Sequence, residues 1–554
     1  MNQQREVVID VHGMTCDHCE RTVSNALRSV PGVREVLEVS HANALARVAA
    51  RPEATTERIE HAVARAGFQA HVRKDPATAA PAVIARREGD FDLIVIGGGS
   101  AGFAAAIKGS ELGARIALVE GGTLGGTCVN VGCVPSKTLL RAAEANHRRT
   151  RHGFMGIPTT DGRPEWALVR GQKDELVGEL RQARYWDVLR SYEGITLFQQ
   201  QATIISAHAI RLADGRILKA DKTLITTGSS PWAPPIPGLA QAGYLDNATA
   251  MALDRLPSSL IVIGASAVGL ELAQMFARLG VNVTVLEVMS RVVPAEDADI
   301  GAALGDYLRA EGLQVHIGAQ IEHVGRAGDR YTATFTDGGT TRVARAQQLL
   351  VATGRQANTT GLGLETVGVR LGAKGEIVVD EFLRTANPGV YAAGDVLGDP
   401  MFVYVAAYGG MIAAENALTG NARRYDLTAL PKVTFTDPAV ASVGLTEDQA
   451  WAQGIVPLVS KLPLEHVPRS LAARETRGFV KLLADSQTRK IIGAHILATE
   501  AGEMITEPTL AIKFGLTIDD LTSTFHPYLT LSEGIKLAAQ AFSKDVNMLS
   551  CCAA

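Results

Sequence analysis

The cysteines of this chain fall into three close pairs, and their spacing is the strongest chemical signal in the sequence. Thiolates bind soft metal ions and exchange with disulfides, so closely spaced cysteines are typical of metal-binding or redox sites. The alternative is a set of buried thiols that only pack in a core. The pairs are Cys16 with Cys19, Cys128 with Cys133, and Cys551 with Cys552.

The middle pair lies within GGTCVNVGCVPSK, residues 125–137, where the pattern predicts the start of a helix. Unpaired N–H groups and the helix dipole stabilise a thiolate at such a place and lower its pKa. The two thiols are therefore predicted to act as a nucleophile or as ligands for a soft metal ion.

A glycine-rich turn follows the continuous apolar run FDLIVI. Gly97, Gly99 and Gly102 have the spacing G-x-G-x-x-G, and Glu120 ends the next strand-like run. In a strand-turn-helix unit these glycines allow the turn, the approach of a pyrophosphate and close helix packing, while the acid binds a ribose. The pattern predicts a dinucleotide site.

A second unit of the same kind begins at residue 260. Gly264 and Gly269 are present, Ser266 replaces the middle glycine, and Glu287 ends the following strand. A carboxylate there favours a free ribose 2′-hydroxyl and repels a 2′-phosphate, which predicts NADH over NADPH. The alternatives are that Glu287 points to solvent or that the nearby Arg291 changes the local charge.

The elements that must position these residues form an α/β chain with two Rossmann-like units. A βαββαβ unit of the ferredoxin-like type precedes them, with strands at 5–11, 33–39, 44–48 and 68–72, a first helix within residues 13–33 and a second helix at 56–66. An α+β segment follows the last nucleotide motif. The predicted domains are a metal-binding head (1–73), a linker rich in Ala and Pro (74–89), a first nucleotide domain (90–240 and 356–426), a second one (241–355) and a C-terminal dimerisation domain (427–554).

Composition excludes other classes. A chain of 554 residues predicts several cores, and 46% hydrophobic residues with 55 glycines fit an α/β enzyme. A net charge of −4 leaves no basic stripe for nucleic acid. Neither a leader pattern nor a long apolar run is found, so we expect a cytoplasmic protein without a membrane span.

The redox segment carries a family resemblance. The motif C-x4-C-x-P-S-K matches at Cys128, Cys133, Pro135, Ser136 and Lys137. Together with ITTGSSP at 225–231, ATGR at 352–355 and TANPGVYAAGDV at 385–396, it makes the chain from residue 90 resemble the pyridine-nucleotide disulfide oxidoreductases. The head, with GMTCDHC, resembles the heavy-metal-associated domain.

The resemblance implies FAD in the first nucleotide site and NADPH or NADH in the second. It implies that Cys133 lies against the flavin, that Cys128 is the outer thiol, and that Lys137 pairs with Glu271. Thr127 and Asp395 would contact FAD. The family's homodimer would complete each active site with the partner's C-terminal domain.

The outer cysteine pairs resemble those of the mercury-reducing branch of the family. That resemblance implies reduction of Hg(II) to elemental mercury for detoxification, with the ion passing from Cys16 and Cys19, or from small thiols, to the Cys551–Cys552 tail of the partner subunit and then to the redox pair. Tyr185 and Tyr528 match tyrosines of that branch's active site. Met14 is expected to pack and His18 to be exposed, so neither is assigned as a ligand.

Two alternatives stay open. A lipoamide dehydrogenase-like or other disulfide reductase would explain Glu287 and His526, although the family's H-P-T-x-x-E motif is changed here: Tyr528 replaces its threonine, and Glu533 stands two positions late. The other alternative is a metal-binding or trafficking protein in which the head is the active part.

Overall fold

The computed structural model describes residues 5–14, 17–41, 45–51, 53–72, 90–160 and 162–548. Cys16, Cys551, Cys552 and the predicted linker lie outside these residues, as does the side chain of His18. The chain divides into two compact units, residues 1–88 and 89–554. No helix in the described ranges is long and apolar enough to cross a membrane.

The N-terminal unit is a four-stranded antiparallel sheet with two helices, in the strand order β2-β3-β1-β4. Ile9, Leu27 and Ile59 are fully buried and join sheet and helices in one core. This confirms the predicted βαββαβ unit. Its elements are β1 (Arg5–His12), α1 (Asp17–Arg28), β2 (Val33–Ser40), β3 (Leu45–Ala50), α2 (Thr56–Arg65) and β4 (Gln69–Val72).

The sheet of the first nucleotide unit is parallel where strands alternate with helices, because such a helix returns the chain to the edge at which the strand began, and it continues into two antiparallel strands. Its elements up to residue 231 are β5 (Phe91–Ile96), α3 (Ser100–Glu111), β6 (Ile116–Val119), α4 (Gly126–Val131), α5 (Cys133–Thr150), α6 (Trp166–Arg181), α7 (Asp187–Arg190), β7 (Ile195–Phe198), β8 (Ala202–Ser206), β9 (Ala209–Leu212), β10 (Ile217–Ile225) and β11 (Ser229–Pro231). A π-helical turn, Gln182–Trp186, joins α6 to α7.

The second nucleotide unit is inserted into the first, and the chain then returns to the first sheet. The elements are α8 (Leu239–Ala242), α9 (Asn247–Met251), β12 (Ser259–Ile263), α10 (Ala267–Arg278), β13 (Asn282–Leu286), α11 (Ala298–Ala310), β14 (Gln314–His316), β15 (Gln320–Ala327), β16 (Arg330–Asp337), β17 (Thr340–Ala346), β18 (Gln348–Val351), β19 (Arg355–Ala357), β20 (Val390–Ala392) and α12 (Val403–Thr419).

The two nucleotide sheets share one plan. The first has the order β7-β6-β5-β10-β9-β8, with β20 also paired to β10, and the second has the parallel order β14-β13-β12-β18. In both, a central strand runs directly into a glycine turn and a helix. The predicted pair of Rossmann-like units is confirmed.

The C-terminal segment forms a five-stranded antiparallel sheet, β21-β22-β25-β24-β23, with helices packed against it. This confirms the predicted α+β character. The elements are β21 (Lys432–Thr434), β22 (Ala439–Gly444), α13 (Glu447–Ala452), β23 (Pro457–Pro463), α14 (Pro468–Ala473), β24 (Phe479–Asp485), β25 (Ile491–Ala498), α15 (Ala501–Met504), α16 (Thr506–Phe514), α17 (Ile518–Ser523) and α18 (Glu533–Gln540).

Candidate active site

The first glycine turn opens a cavity of about 970 Å³ that extends from Glu120 to Cys133 and Lys137. At Gly102 an added Cβ would lie 1.8 Å from the Gly97 carbonyl oxygen, so only glycine lets α3 pack against the end of β5. At Gly126 an added Cβ would lie 2.6 Å from the Gly99 Cα. No side chain therefore covers the glycine backbone at this end of the cavity, where the N–H groups of the first turn of α3 also lie.

Glu120 is fixed at the rim of this cavity by backbone donors. Its two carboxylate oxygens accept hydrogen bonds of 2.6 Å from Gly98 N–H and Gly122 N–H. A long cavity with bare glycine backbone, a helix N-terminus and a carboxylate beyond it matches the pyrophosphate and ribose of an extended dinucleotide such as FAD. The residues present fit that cofactor.

The second glycine turn reproduces the first. Gly264 N–H donates to Leu286 O at 2.9 Å, as Gly97 N–H donates to Val119 O at 2.7 Å. At Gly269 an added Cβ would lie 2.1 Å from the Gly264 carbonyl oxygen, so the helix packs as closely here.

Ser266 has φ −89° and ψ −171°, close to the −79° and −170° of Gly99. Because neither φ is positive, serine adopts this conformation without strain. An added Cβ at Gly99 would lie 3.6 Å from the Gly126 Cα, an ordinary van der Waals distance, so the middle position of the first turn also has room for a side chain. The irregular motif therefore forms a regular turn.

The two central thiols lie on either side of a helix break. Cys128 is in α4, Cys133 is the first residue of α5, and both are free thiols. An added Cβ on Gly132 between them would lie 2.9 Å from Thr127 O, so the break requires glycine. The prediction placed both thiols at one helix start, whereas the structure has two helices with the thiols facing across the break.

The two thiols have pKa values shifted in opposite directions. The thiol of Cys128 hydrogen-bonds to Cys133, and this bond, together with the charge of Lys137, lowers the pKa of Cys133 to about 7 against the opposing effect of burial. The same hydrogen bond, together with burial, raises the pKa of Cys128 above its usual range. The thiolate of the reduced pair therefore lies on Cys133.

Lys137 is held beside this thiolate. Its Nζ lies 2.8 Å from Glu271 Oε2 and 4.5 Å from the centroid of the Phe435 ring. Glu271 is buried in α10, and its other oxygen accepts a 2.9 Å hydrogen bond from Phe435 N–H. The resemblance implied the Lys137–Glu271 pair, but no motif pointed to Phe435, which lies 164 positions from Glu271 in sequence.

The opposite wall of the cavity contains a second polar chain. Ser229 Oγ donates to Asp395 Oδ2 at 2.8 Å and accepts from Arg355 Nε at 2.7 Å. Arg355 also approaches Thr127 Oγ1 at 3.5 Å, and all four residues line the cavity. Ser229 and Arg355 stand inside the motifs ITTGSSP and ATGR, so that signal was present although no role was assigned to them.

Neither of the two predicted tyrosines lines the cavity of its own chain, but Tyr185 lies close enough for the thiols to act on its phenol. Tyr185 lies in the π-helical turn and packs on Phe103 with ring centroids 4.8 Å apart. Burial raises the pKa of its phenol, and the charges of Cys128 and Cys133 act in the same direction. Tyr528 is 61% exposed in the loop before α18, outside the lining of the cavity of its own chain.

His526 has an acid partner that the motif did not indicate. Its Nε2 lies 2.7 Å from Glu507 Oε1, and this contact raises the pKa of the imidazole. Glu533, the acid that sequence spacing suggested, instead accepts from Leu529 N–H at 3.2 Å. A histidine-carboxylate dyad is present, with its acid supplied by α16 because that helix packs beside the loop.

In the N-terminal unit, Cys19 lies half-buried in the first turn of α1. Met14 is 8% exposed and belongs to the core of that unit, as a packing residue does. The metal-ligand assignment of Cys16 and Cys19 rests on the sequence, since Cys16 is outside the described residues.

Family models match along the chain. The pyridine nucleotide-disulphide oxidoreductase model matches residues 91–410, its dimerisation domain matches 430–539, and the heavy-metal-associated domain matches 8–69. Mercuric reductase from Staphylococcus aureus is 43% identical over 99% of this chain and 100% of its own length. Mercuric reductase from Streptomyces lividans is 50% identical over 84% of this chain and 98% of its own.

Two solved structures are similar to the chain in fold. The HOCl-induced flavoprotein disulfide reductase RclA from Escherichia coli has 29% identity and a TM-score of 0.72, covering 81% of this chain and 99% of its own. LpdA from Mycobacterium tuberculosis gives the same values. The family prediction is confirmed: the chain belongs to the pyridine nucleotide-disulphide oxidoreductases, within the family of the mercuric reductases.

Proposed function

We propose that this protein is a mercury(II) reductase, which reduces Hg(II) to elemental mercury with electrons from NADPH or NADH. One observation carries the proposal: the Cys128–Cys133 pair, with its thiolate on Cys133, lies at the inner end of a dinucleotide cavity in a chain of the mercuric reductase family. FAD, held by the residues of this cavity, would supply the transfer of an electron pair from the reduced nicotinamide to the thiols.

The chain's own residues prepare the thiols for a soft ion. Thiolates are the preferred ligands of such ions, and two sulfurs separated by one helix break can bind one ion together. Lys137 offsets the negative charge of the bound thiolates, and Glu271 and Phe435 keep its ammonium in place. Two electrons convert Hg(II) to elemental mercury, and one NAD(P)H is oxidised to NAD(P)⁺ with release of one proton.

Delivery of the ion is the finer part of the proposal. Hg(II) passes by stepwise thiol exchange from Cys16 and Cys19, or from small thiols, to Cys551 and Cys552 of the partner subunit. It then passes to Cys128 and Cys133. The dimerisation-domain match at 430–539 supports a homodimer, and the heavy-metal-associated match at 8–69 supports a metal-binding head. Tyr528, exposed in its own chain, is assigned to the active site of the partner. The cytoplasmic location stays a prediction.

The His526–Glu507 dyad favours a second candidate, reduction of a disulfide substrate. An imidazole whose pKa is raised by a carboxylate can exchange a proton with a leaving thiol, which disulfide reduction requires. RclA and LpdA, the first of which is named a disulfide reductase, have the same fold. This candidate gives the outer cysteine pairs no role.

Anaerobic turnover separates the two candidates. Oxidation of NADH and of NADPH is followed with Hg(II) in excess small thiol, then with lipoamide and with glutathione disulfide, and released mercury vapour is measured. We expect Hg(II) to drive turnover and vapour release. Brisk turnover with a disulfide and none with Hg(II) would refute the mercury proposal.

Variants test the route of the ion. Cys551→Ala with Cys552→Ala should abolish Hg(II) turnover yet leave reduction of the flavin by nicotinamide intact. The matched pair Cys16→Ala with Cys19→Ala should keep turnover when small thiols supply the ion. Full Hg(II) turnover by the tail variant would remove the tail from the route.

A further inference from the structure

The second nucleotide site presents a fixed carboxylate where the adenosine ribose of the nicotinamide cofactor binds. Glu287 is 6% exposed, which excludes the alternative that it points to solvent. Its Oε2 accepts a 2.6 Å hydrogen bond from Ala265 N–H, and its Oε1 accepts a 2.8 Å bond from Met289 N–H. Two backbone donors thus hold the carboxylate against the glycine turn.

This arrangement duplicates that of the first site. Glu120 accepts from Gly98, the residue after the first glycine of its turn, and from Gly122, two positions beyond itself. Glu287 accepts from the equivalent positions, Ala265 and Met289. In such folds this acid binds the ribose hydroxyls, and each oxygen of Glu287 retains a lone pair for that purpose.

The residues that follow Glu287 offer no free cation for a 2′-phosphate: two are apolar, and the nearest arginine is turned toward a backbone carbonyl. The side chain that follows the carboxylate is Val288, 63% exposed, and Met289 is 51% exposed. Arg291 donates from Nη2 to Pro294 O at 3.1 Å, and its Cβ and Cδ lie beside Gly301, while its buried Nε has no hydrogen-bond partner.

The nearby cations on the other side are paired with a carboxylate. Glu287 N–H donates to His316 O, which places β14 beside it, and the His316 imidazole lies 2.8 Å from Asp337 Oδ2. Arg342 pairs with the same carboxylate at 3.4 Å. Within the described ranges, Glu287 has no cationic partner at ion-pair distance.

We propose that this site selects NADH over NADPH and that Glu287 is the specificity-determining residue. The inference deepens the proposed function by naming its reductant. A 2′-phosphate would place two negative charges against a carboxylate that cannot turn away without losing both backbone bonds. Like charges in such contact repel each other strongly, so we expect NADH to be favoured over NADPH on the order of 100-fold.

Calorimetric binding of NAD⁺ and NADP⁺ to the oxidised holoenzyme tests this without Hg(II), so a failed mercury proposal would leave the result unaffected. We expect NAD⁺ to bind on the order of 100-fold more tightly, and the kcat/KM values for flavin reduction by NADH and NADPH to differ in the same direction. Equal or tighter binding of NADP⁺ would overturn the inference.

Four variants test whether Glu287 causes the discrimination. Glu287→Gln removes the charge and should reduce the ratio of the NADP⁺ to the NAD⁺ dissociation constant at least tenfold. Val288→Arg should also reduce this ratio, although the carboxylate and its two backbone hydrogen bonds stay in place. Ile217→Arg adds the same charge at an exposed apolar residue of the first unit and should leave the ratio unchanged. If Arg291→Ala weakened NADP⁺ binding selectively, Arg291 would be a phosphate ligand and the inference would be wrong.

Discussion

At the residue scale, the chemistry depends on the different pKa values of the two thiols in the redox motif. Cys128 and Cys133 have the same side chain, yet the hydrogen bond between them raises the pKa of one thiol and lowers that of the other. The position of Cys133 at the start of α5 and beside Lys137 decides which sulfur carries the charge. A soft ion therefore meets one ready thiolate and one thiol that must lose its proton.

The pKa of Cys133 should depend on the charge of Lys137. In the anaerobically reduced enzyme, the ultraviolet thiolate absorbance of Cys133 should titrate near pH 7, with Cys133→Ser as the blank. Because the pKa is lowered, the thiolate is present above that pH and is lost as the pH falls through it. Lys137→Met should raise the midpoint by roughly one pH unit, since the cation is lost and Glu271 remains.

The control for that titration is Lys219→Met, which removes an exposed lysine of β10 and should not move the midpoint. An unchanged midpoint in Lys137→Met would show that the lysine charge does not reach the thiolate.

At the scale of elements, glycines decide where the helices lie. Gly102 and Gly269 allow α3 and α10 to contact the turns that precede them. Gly132 interrupts the helical backbone between α4 and α5, so that the two thiols face each other. A side chain at any of these positions would push a helix away from the backbone that it contacts. The cofactor cavity and the thiol pair depend on these three close approaches.

Gly102→Ala should therefore lose FAD. The added methyl would meet the Gly97 carbonyl oxygen at 1.8 Å, which only a shift of α3 can relieve, and the pyrophosphate end of the cavity would move with it. We expect the flavin-to-protein ratio of the purified variant to fall severalfold.

Gly171→Ala is the matched control, because Gly171 lies in α6 with nothing within 4 Å of an added Cβ. It should keep full flavin and gain up to about 1 kcal/mol of helix stability. Normal flavin content in Gly102→Ala would show that the turn tolerates a side chain.

At the scale of the whole molecule, a buried charge network joins the second nucleotide unit to the C-terminal sheet. Arg278 of α10 lies 2.7 Å from Glu311 and 2.8 Å from Asp437, and Arg477 adds a further 2.7 Å contact to Glu311. Burial alone would raise the pKa values of Glu311 and Asp437, but the two arginines hold both below their usual range.

Arg278→Ala should lower the free energy of unfolding of the larger compact unit by about 3–5 kcal/mol, because it leaves two buried carboxylates without their main partner. The thermal midpoint should fall, and the loss should be smaller at low pH. The carboxylates' stabilising effect is present above their unfolded pKa values and disappears as the pH falls through the folded ones.

Arg190→Ala breaks the exposed pair with Asp187, whose side chains are 70% and 52% exposed, and should change stability by less than about 1 kcal/mol. Equal effects of the two variants would contradict a stabilising role for the buried network.

The two compact units also predict separable behaviour. Each has its own core, so a chain starting at residue 89 should keep FAD and reduce Hg(II) supplied by small thiols. Flavin content and mercury vapour release measure this. A truncated chain without flavin would mean that the head is required for folding of the body.

Much of this protein was determined by local sequence. The glycine turns, the acids at the ends of the next strands and the motif around Cys128 and Cys133 could be predicted because each depends on residues within about thirty positions of one another. The helices and strands of the βαββαβ head could be predicted from local periodicity, although its sheet pairs Ile9 with Val72. A strand, a turn and a helix need only their own spacing to form.

Tertiary structure decided the rest. Phe435 reaches Glu271 from 164 positions away, Glu507 replaces Glu533 as the partner of His526, and Arg355 meets Asp395 only through Ser229. The direction of the Glu287 carboxylate also depended on its packing against the turn. Hydrogen bonds between side chains on separate elements depend on how those elements pack, and spacing along the chain does not encode that distance.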